Sequence, residues 1–216
     1  MFLDSDDTLP EDSLEILINE IRNSKSDIVV GSHKQIWKNS NKEKLEMQKH
    51  IGTYTPNKIY EFLLKNELTH NLAFGIFSSK LFNKDYFTIE NQTNGEDLIL
   101  FYQLVNESKS ITIINNIIYI YFRHFESSTK QPLSIEKISQ FIKAQNFKLQ
   151  FLENVGISTK LILQNIDCNV ARWYYKTEFQ DVRDNLAPKI KQSMKMMKSI
   201  KYLTLKKWVK YVLLKR

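Results

Sequence analysis

The sequence predicts an α/β first half followed by an all-α second half. Three observations predict it. Strand-like and helix-like stretches alternate from Phe2 to about residue 122, the order expected of a layered α/β unit. A dense acidic run, Asp4-Ser5-Asp6-Asp7, follows the apolar pair Phe2-Leu3. Read as the end of a buried strand, that pair puts the acids at a strand's C-terminal edge, where open α/β sheets bind ligands. From Ser134 onward the apolar spacing is helical only, with breaks near Gly156 and Pro188. The boundary expected is 1–130 and 131–216.

The elements follow in order. Leu14, Leu17, Ile18 and Ile21 recur at helical spacing, so residues 11–23 form an amphipathic helix. Asp27-Ile28-Val29-Val30-Gly31-Ser32 is a β-branched strand that resumes through Gln35-Ile36-Trp37. Residues 38–54 are polar and Lys-rich, a loop or a weak hairpin. Thr55-Pro56 starts a second helix, to about Lys65, with Ile59, Phe62 and Leu63 inward. Residues 69–82 are apolar around Gly75, with a short helix from Ser79. Asn94-Gly95-Glu96-Asp97 opens a helix carrying Leu98, Phe101, Tyr102 and Val105. Residues 111–122 form a buried strand or hairpin, and 123–129 a polar loop.

At 216 residues the chain can bury one good core with a helical appendage. Ile, Leu, Phe and Tyr are abundant and Gly and Pro scarce, which excludes a disordered chain. The lone Cys168 excludes an internal disulfide, and without an accompanying His pattern it reads as a small buried hydrophobe. No signal peptide and no apolar run of transmembrane length are expected, which suggests a cytoplasmic location. Charge is uneven. Of the 31 Lys and Arg, ten lie from Lys189 to the end, where no acid occurs. The remainder holds 21 basic against 24 acidic residues, so the basic balance belongs to the tail and is no nucleic-acid footprint. Within that tail the apolar residues at 190, 194 and 197, then 205, 208, 209, 212 and 213, keep a helical spacing around Trp208, and Lys206, Lys207 and Lys210 fill the gaps. It reads either as a docked helix with a solvated Lys face or as a helix on an anionic membrane surface.

The acidic run admits three readings. Asp, Thr and Pro suit the start of a helix, which explains Thr8 to Asp12 better than the doubled acids at Asp4 and Asp6. A calcium loop fails, because Leu9 stands where its Gly should be. A catalytic Asp-x-Asp is the third. Phe2-Leu3-Asp4-Ser5-Asp6-Asp7-Thr8-Leu9 resembles the nucleophile loop of haloacid-dehalogenase-type phosphatases, which would use Asp4 and Asp6. It also resembles the metal loop of family 2 glycosyltransferases.

A second acidic site separates the two. Gly95-Glu96-Asp97 lacks the Asp four residues on that the phosphatases show, because Phe101 stands there. It resembles the late Glu-Asp of family 2 glycosyltransferases. Pro10 to Gly31 is similar to that family's helix and strand after the metal loop. Leu72 to Phe82 is similar to the segment under its acceptor site, with Phe74 and Ile76 where Trp and Lys are common. Tyr119-Ile120-Tyr121-Phe122-Arg123-His124 with Ser127, Ser128 and Thr129 resembles the loop that closes on the donor diphosphate. The likeness spans residues 2–130.

The resemblance implies an incomplete GT-A-like, Rossmann-related sheet and inverting sugar transfer from a nucleotide sugar to a hydroxyl of a glycan or lipid-linked acceptor. It implies Mg²⁺ or Mn²⁺ on Asp4, Asp6 and Asp7, Asp97 as general base, and Arg123 and His124 at the diphosphate. Phe74, Gly75 and Glu96 would lie on the acceptor side. The family's nucleotide-binding half precedes the metal loop and has no counterpart in these 216 residues. The chain is therefore expected to be inactive alone, or to pair with a chain supplying that half. A non-catalytic helical interaction module is the alternative of another class.

Overall fold

The computed structural model describes residues 1–123 apart from Asn39, Asn41 and His70, then residues 135–158, 160–162 and Asn165. The chain divides into two compact units, Met1–Gln131 and Pro132–Arg216.

The first unit is a five-stranded mixed sheet with helices. In chain order it holds α1 (Ser13–Ser24), β1 (Ile28–Trp37), β2 (Glu43–Glu46), β3 (Gly52–Tyr54), α2 (Pro56–Leu64), β4 (Gly75–Phe77), α3 (Glu96–Glu107) and β5 (Ile111–Arg123). Short 3₁₀ turns at Leu72–Phe74 and Ser79–Phe82 bracket β4. The two long strands are the axis. β1 and β5 run parallel from Ile28 beside Ile111 to Trp37 beside Arg123. Both begin with a β-branched apolar run that is fully buried, as suits a strand covered on both faces. β4 and then β2 pair antiparallel with β1 along its other edge. β3 pairs antiparallel with the start of β5, and Thr8 forms an isolated antiparallel bridge with Ile120 further along.

β5 is one strand, with an irregularity in the middle. Its register with β1 slips between Val30 and His33, opposite the polar pair Asn115-Asn116. Gly31 sits at that slip, where a Cβ would come within 2.5 Å of Ile118 Cγ1.

Several expectations shift. Phe2 and Leu3 are in no strand and are 40% and 53% exposed; Phe2 meets Phe77 edge-on and Phe82 at a tilt instead. β1 is continuous where a break was expected. The polar stretch 38–54 contains both β2 and β3, because a sheet edge accepts polar strands that pair only on one side. In α1 the buried face is set by Ser13 and Leu17, while Leu14 is exposed, a rotation of the apolar stripe imposed by packing on β1 and β5. α2 and α3 share a core in which Tyr60 Oη donates to Tyr102 O at 3.0 Å, with the rings stacked.

In the second unit α4 spans Ile135–Asn154. Lys148 is buried there and donates to Asn165 Oδ1 at 2.6 Å; burial pulls its pKa down to about 7. The rest of the expected all-α region, with Cys168, Pro188 and the basic tail, lies outside the described residues.

Gly75 is extended, so its backbone suits any residue, yet a Cβ would lie 2.5 Å from Val29 O. The β1–β4 pairing brings backbone against backbone at that point. Gly75→Ala should therefore destabilise the first unit by about 1–3 kcal/mol, seen as a lower urea midpoint at unchanged slope. An unchanged midpoint would mean that the two strands are not packed this closely.

Candidate functional site

The acidic loop is fastened to the C-terminal half of β5. Asp7 N–H donates to Asp4 O at 3.1 Å, closing a turn. Thr8 and Ile120 exchange backbone hydrogen bonds of 3.2 and 2.8 Å. Asp7 turns inward and is 7% exposed. Its Oδ2 accepts from Tyr119 Oη and its Oδ1 from Phe122 N–H, each at 2.8 Å. Both oxygens are thus engaged by β5. Burial still pushes the Asp7 pKa up, against those two hydrogen bonds, and the charges of Asp6 and Asp4 add to the rise. Asp4 and Asp6 are exposed.

Asp97 stands in the first turn of α3, after Gly95, which takes a left-handed conformation with φ of 88°. Acids suit that turn, since the helix dipole is positive there. Its pKa is pushed up to about 6, first by burial, then by Glu96, then by Asp4. The last cause carries information that the first two do not. Asp4 is 93 positions away in the sequence, and its charge reaches Asp97 only because the fold brings the loop and the helix end together. Glu96 beside it is exposed.

Arg123 closes β5 on the far side of Phe122, whose amide holds Asp7. Its guanidinium lies 5.4 Å from the Trp37 ring and 5.6 Å from the Tyr121 ring. Its Nε is buried and has no hydrogen-bond partner among the described residues. Buried donors are normally satisfied, so this N–H has capacity for a further acceptor. His124 and the serines and threonine after it lie outside the described residues, as do Lys206, Lys207, Trp208 and Lys210.

Phe74 and Gly75 lie beneath the site rather than on it. Phe74 is 7% exposed, stacked on His33 at 3.8 Å and edge-on to Tyr119 at 5.3 Å. His33 is buried, and that burial drops its pKa to about 4, so the ring is neutral at pH 7. His33 carries no role in the sequence pattern, and Tyr119 stands there only as part of the diphosphate loop, not as a partner of the acids. The alternation of polar and aromatic residues at 33, 35 and 37 beside 119, 121 and 123 was the available signal.

No group of three His, Cys, Asp or Glu side chains that could hold a metal is preassembled among the described residues. A hard divalent ion needs less than that here. Mg²⁺ is commonly held by one or two carboxylates together with substrate phosphates, and exposed Asp4 and Asp6 fit such a donor set. Asp7, with both oxygens engaged, fits it less well. No described helix is long and apolar enough to cross a membrane.

Residues 1–89 match the family model of glycosyl transferase family 2. The fold resembles the crystal structure of S. aureus TarS 1–349 in complex with UDP-GlcNAc, with a TM-score of 0.64 at 15% identity. That likeness covers 89% of this chain and 56% of TarS 1–349, so the chain spans about half of it. A longer S. aureus TarS structure matches with a TM-score of 0.59 at 14% identity, over 89% of this chain and 33% of that one. A further TarS 1–349 structure gives 0.52 at 14% identity, over 93% and 67%. At such identities the likeness shows the fold. No curated protein matches the chain.

The Asp97 pKa has a consequence for stability. An unfolded Asp titrates near 3.9. Between that value and about 6 the folded chain holds a proton the unfolded chain has released. Stability therefore falls as pH rises through this window, and above it the full cost of the buried charge is present. After solvent screening that cost is on the order of 1 kcal/mol. The stability of Asp97→Asn relative to wild type should shift in favour of the variant by this amount between pH 4 and pH 7, in chelator-treated samples. A difference that is flat with pH would mean Asp97 is solvated.

Proposed function

From a chain whose residues 1–89 carry a family 2 glycosyltransferase segment, we propose transfer of a sugar from a nucleotide-activated donor to a hydroxyl of a glycan or lipid-linked acceptor, with inversion. The observation that carries this reading is the convergence of Asp4 and Asp97, one acid on a loop and the other at a helix end. Such a pair divides the work between leaving group and nucleophile. The donor is proposed to be a nucleotide sugar, and UDP-GlcNAc, bound in one TarS structure, is the first to test.

Asp4 and Asp6 would hold Mg²⁺ or Mn²⁺. A divalent ion bound there supplies Lewis-acid neutralisation of a departing diphosphate. Asp7 keeps the loop on β5 and so sets where its neighbours stand. Arg123 offers its buried Nε–H and the rest of its fork to a phosphate oxygen. Asp97 accepts the proton of the acceptor hydroxyl as that oxygen attacks the anomeric carbon. The bond from the anomeric carbon to the diphosphate oxygen breaks, and its electron pair leaves with the diphosphate. A base with a pKa near 6 is largely ionised at pH 7 yet basic enough to help, which is the compromise general-base catalysis favours. Glu96 lies beside it, on the proposed acceptor side. Phe74 and Gly75 would act there through packing, since neither is exposed.

The family match favours this reading over a phosphatase using Asp4 and Asp6. Its test is a transfer assay reconstituted with a nucleotide-binding half. Asp6→Ala should abolish the Mn²⁺-dependent part of UDP-GlcNAc binding. Asp97→Asn should leave that binding intact and lower kcat by about 10²–10⁴, with the wild-type rate falling as pH drops below 6. Near-normal kcat in Asp97→Asn would remove the base assignment.

A further inference from the structure

We propose that Tyr119 is the positioning residue of the acidic loop, and that it links the loop to the buried segment around Phe74. This rests on the reading of Asp4 and Asp6 as metal-holding residues given above. Tyr119 lies in the middle of β5 and is fully buried. A buried phenol needs a partner for its hydroxyl, and here it has two, both in the loop. It donates to Asp7 Oδ2 at 2.8 Å and accepts from Asp4 N–H at 3.3 Å. One oxygen atom thus touches the loop at both ends of the turn that carries Asp4, Asp6 and Asp7. The backbone bond from Asp7 to Asp4 closes the turn, and Tyr119 fixes where the closed turn sits on the sheet.

The hydroxyl stays a neutral donor. Burial pushes the Tyr119 pKa well above the usual phenol range, and the bond to Asp7 adds to that. The ring is fixed as well. Phe74 meets it edge-on, and His33, the register partner of Tyr119 on β1, stacks on the other ring of that pair. Three rings therefore connect the segment before β4 with the loop. A shift of Phe74 would move the phenol, and with it Asp4.

Tyr119→Phe tests this, because it removes one oxygen and keeps the ring. Amide exchange by NMR on the 216-residue chain supplies a readout that needs no metal. The amides of Asp4, Asp7 and Phe122 should exchange about tenfold faster, while those of Ile28 to Val30 in β1 stay as they were. Mn²⁺ titration of the same chain, followed by paramagnetic broadening at Asp4 and Asp6, should show affinity weakened about tenfold. Phe74→Leu, which keeps the phenol but loosens its seat, should shift the loop amides in the same direction by less. A structural role alone would speed exchange in β1 and the loop together, and that result overturns the proposal. So does a loop whose amides exchange at the wild-type rate. If Mn²⁺ binds neither protein, the metal reading of Asp4 and Asp6 fails, and the exchange measurement alone decides the role of Tyr119.

Discussion

The first unit depends on one buried carboxylate. Asp7 carries a charge into a place that raises its pKa, and a carboxylate there is stable only with donors on both oxygens. Tyr119 and Phe122 supply them, and both belong to β5. That single requirement fixes the acidic loop against the C-terminal half of a central strand. Arg123 is the residue after Phe122, whose amide holds Asp7. The acidic loop and Arg123 thereby share the C-terminal half of β5.

The electrostatics of these acids are unfavourable on their own terms. Asp7 and Asp97 both have raised pKa values, each is raised first by burial, and each feels Asp4. A fold selected for stability alone would disperse these charges. Groups whose environments work against their ionised form are typical of functional sites, and a bound cation would relieve all of them at once. The cavity between Lys80, Lys84 and Lys109, about 360 Å³ in volume, shows the contrast. There Lys84 is paired with Glu107 at 2.6 Å, and Asp27 Oδ2 accepts the Lys109 backbone N–H, so acids and bases are mixed rather than like charges gathered.

Much of this was legible in the sequence, and the reasons differ by element. β1, α2 and α3 follow from strong apolar periodicity or a β-branched run, which packing had no cause to override. Asp4 and Asp6 stand out in the sequence as acids too dense for a bland loop, and Asp97 by the likeness of Gly95-Glu96-Asp97 to a late Glu-Asp. β2 and β3 were not resolved from a loop, because edge strands of mixed polarity carry little pattern. Phe2 and Leu3 look like a strand end by composition, yet the fold leaves them exposed. Asp7 reads like its neighbours in the sequence; only the structure shows that it faces inward. Tyr119 was read as part of a diphosphate loop, whereas its hydroxyl points at the acids. Side-chain direction within a strand depends on register, and the slip near Asn115-Asn116 makes the register of β5 unreadable from alternation alone.

The division of labour proposed for Asp4 and Asp97 requires that the loop and the start of α3 form one site. The pKa of Asp97, followed by carboxyl-carbon NMR in wild type and in Asp4→Asn, tests it most directly. The value should lie near 6 in wild type and move down by a small but measurable step when the Asp4 charge is removed, with burial and Glu96 still holding it above the ordinary Asp range. An Asp97 pKa that is the same in both proteins would show that the two acids do not share a site, and the proposed division of labour between them would fall.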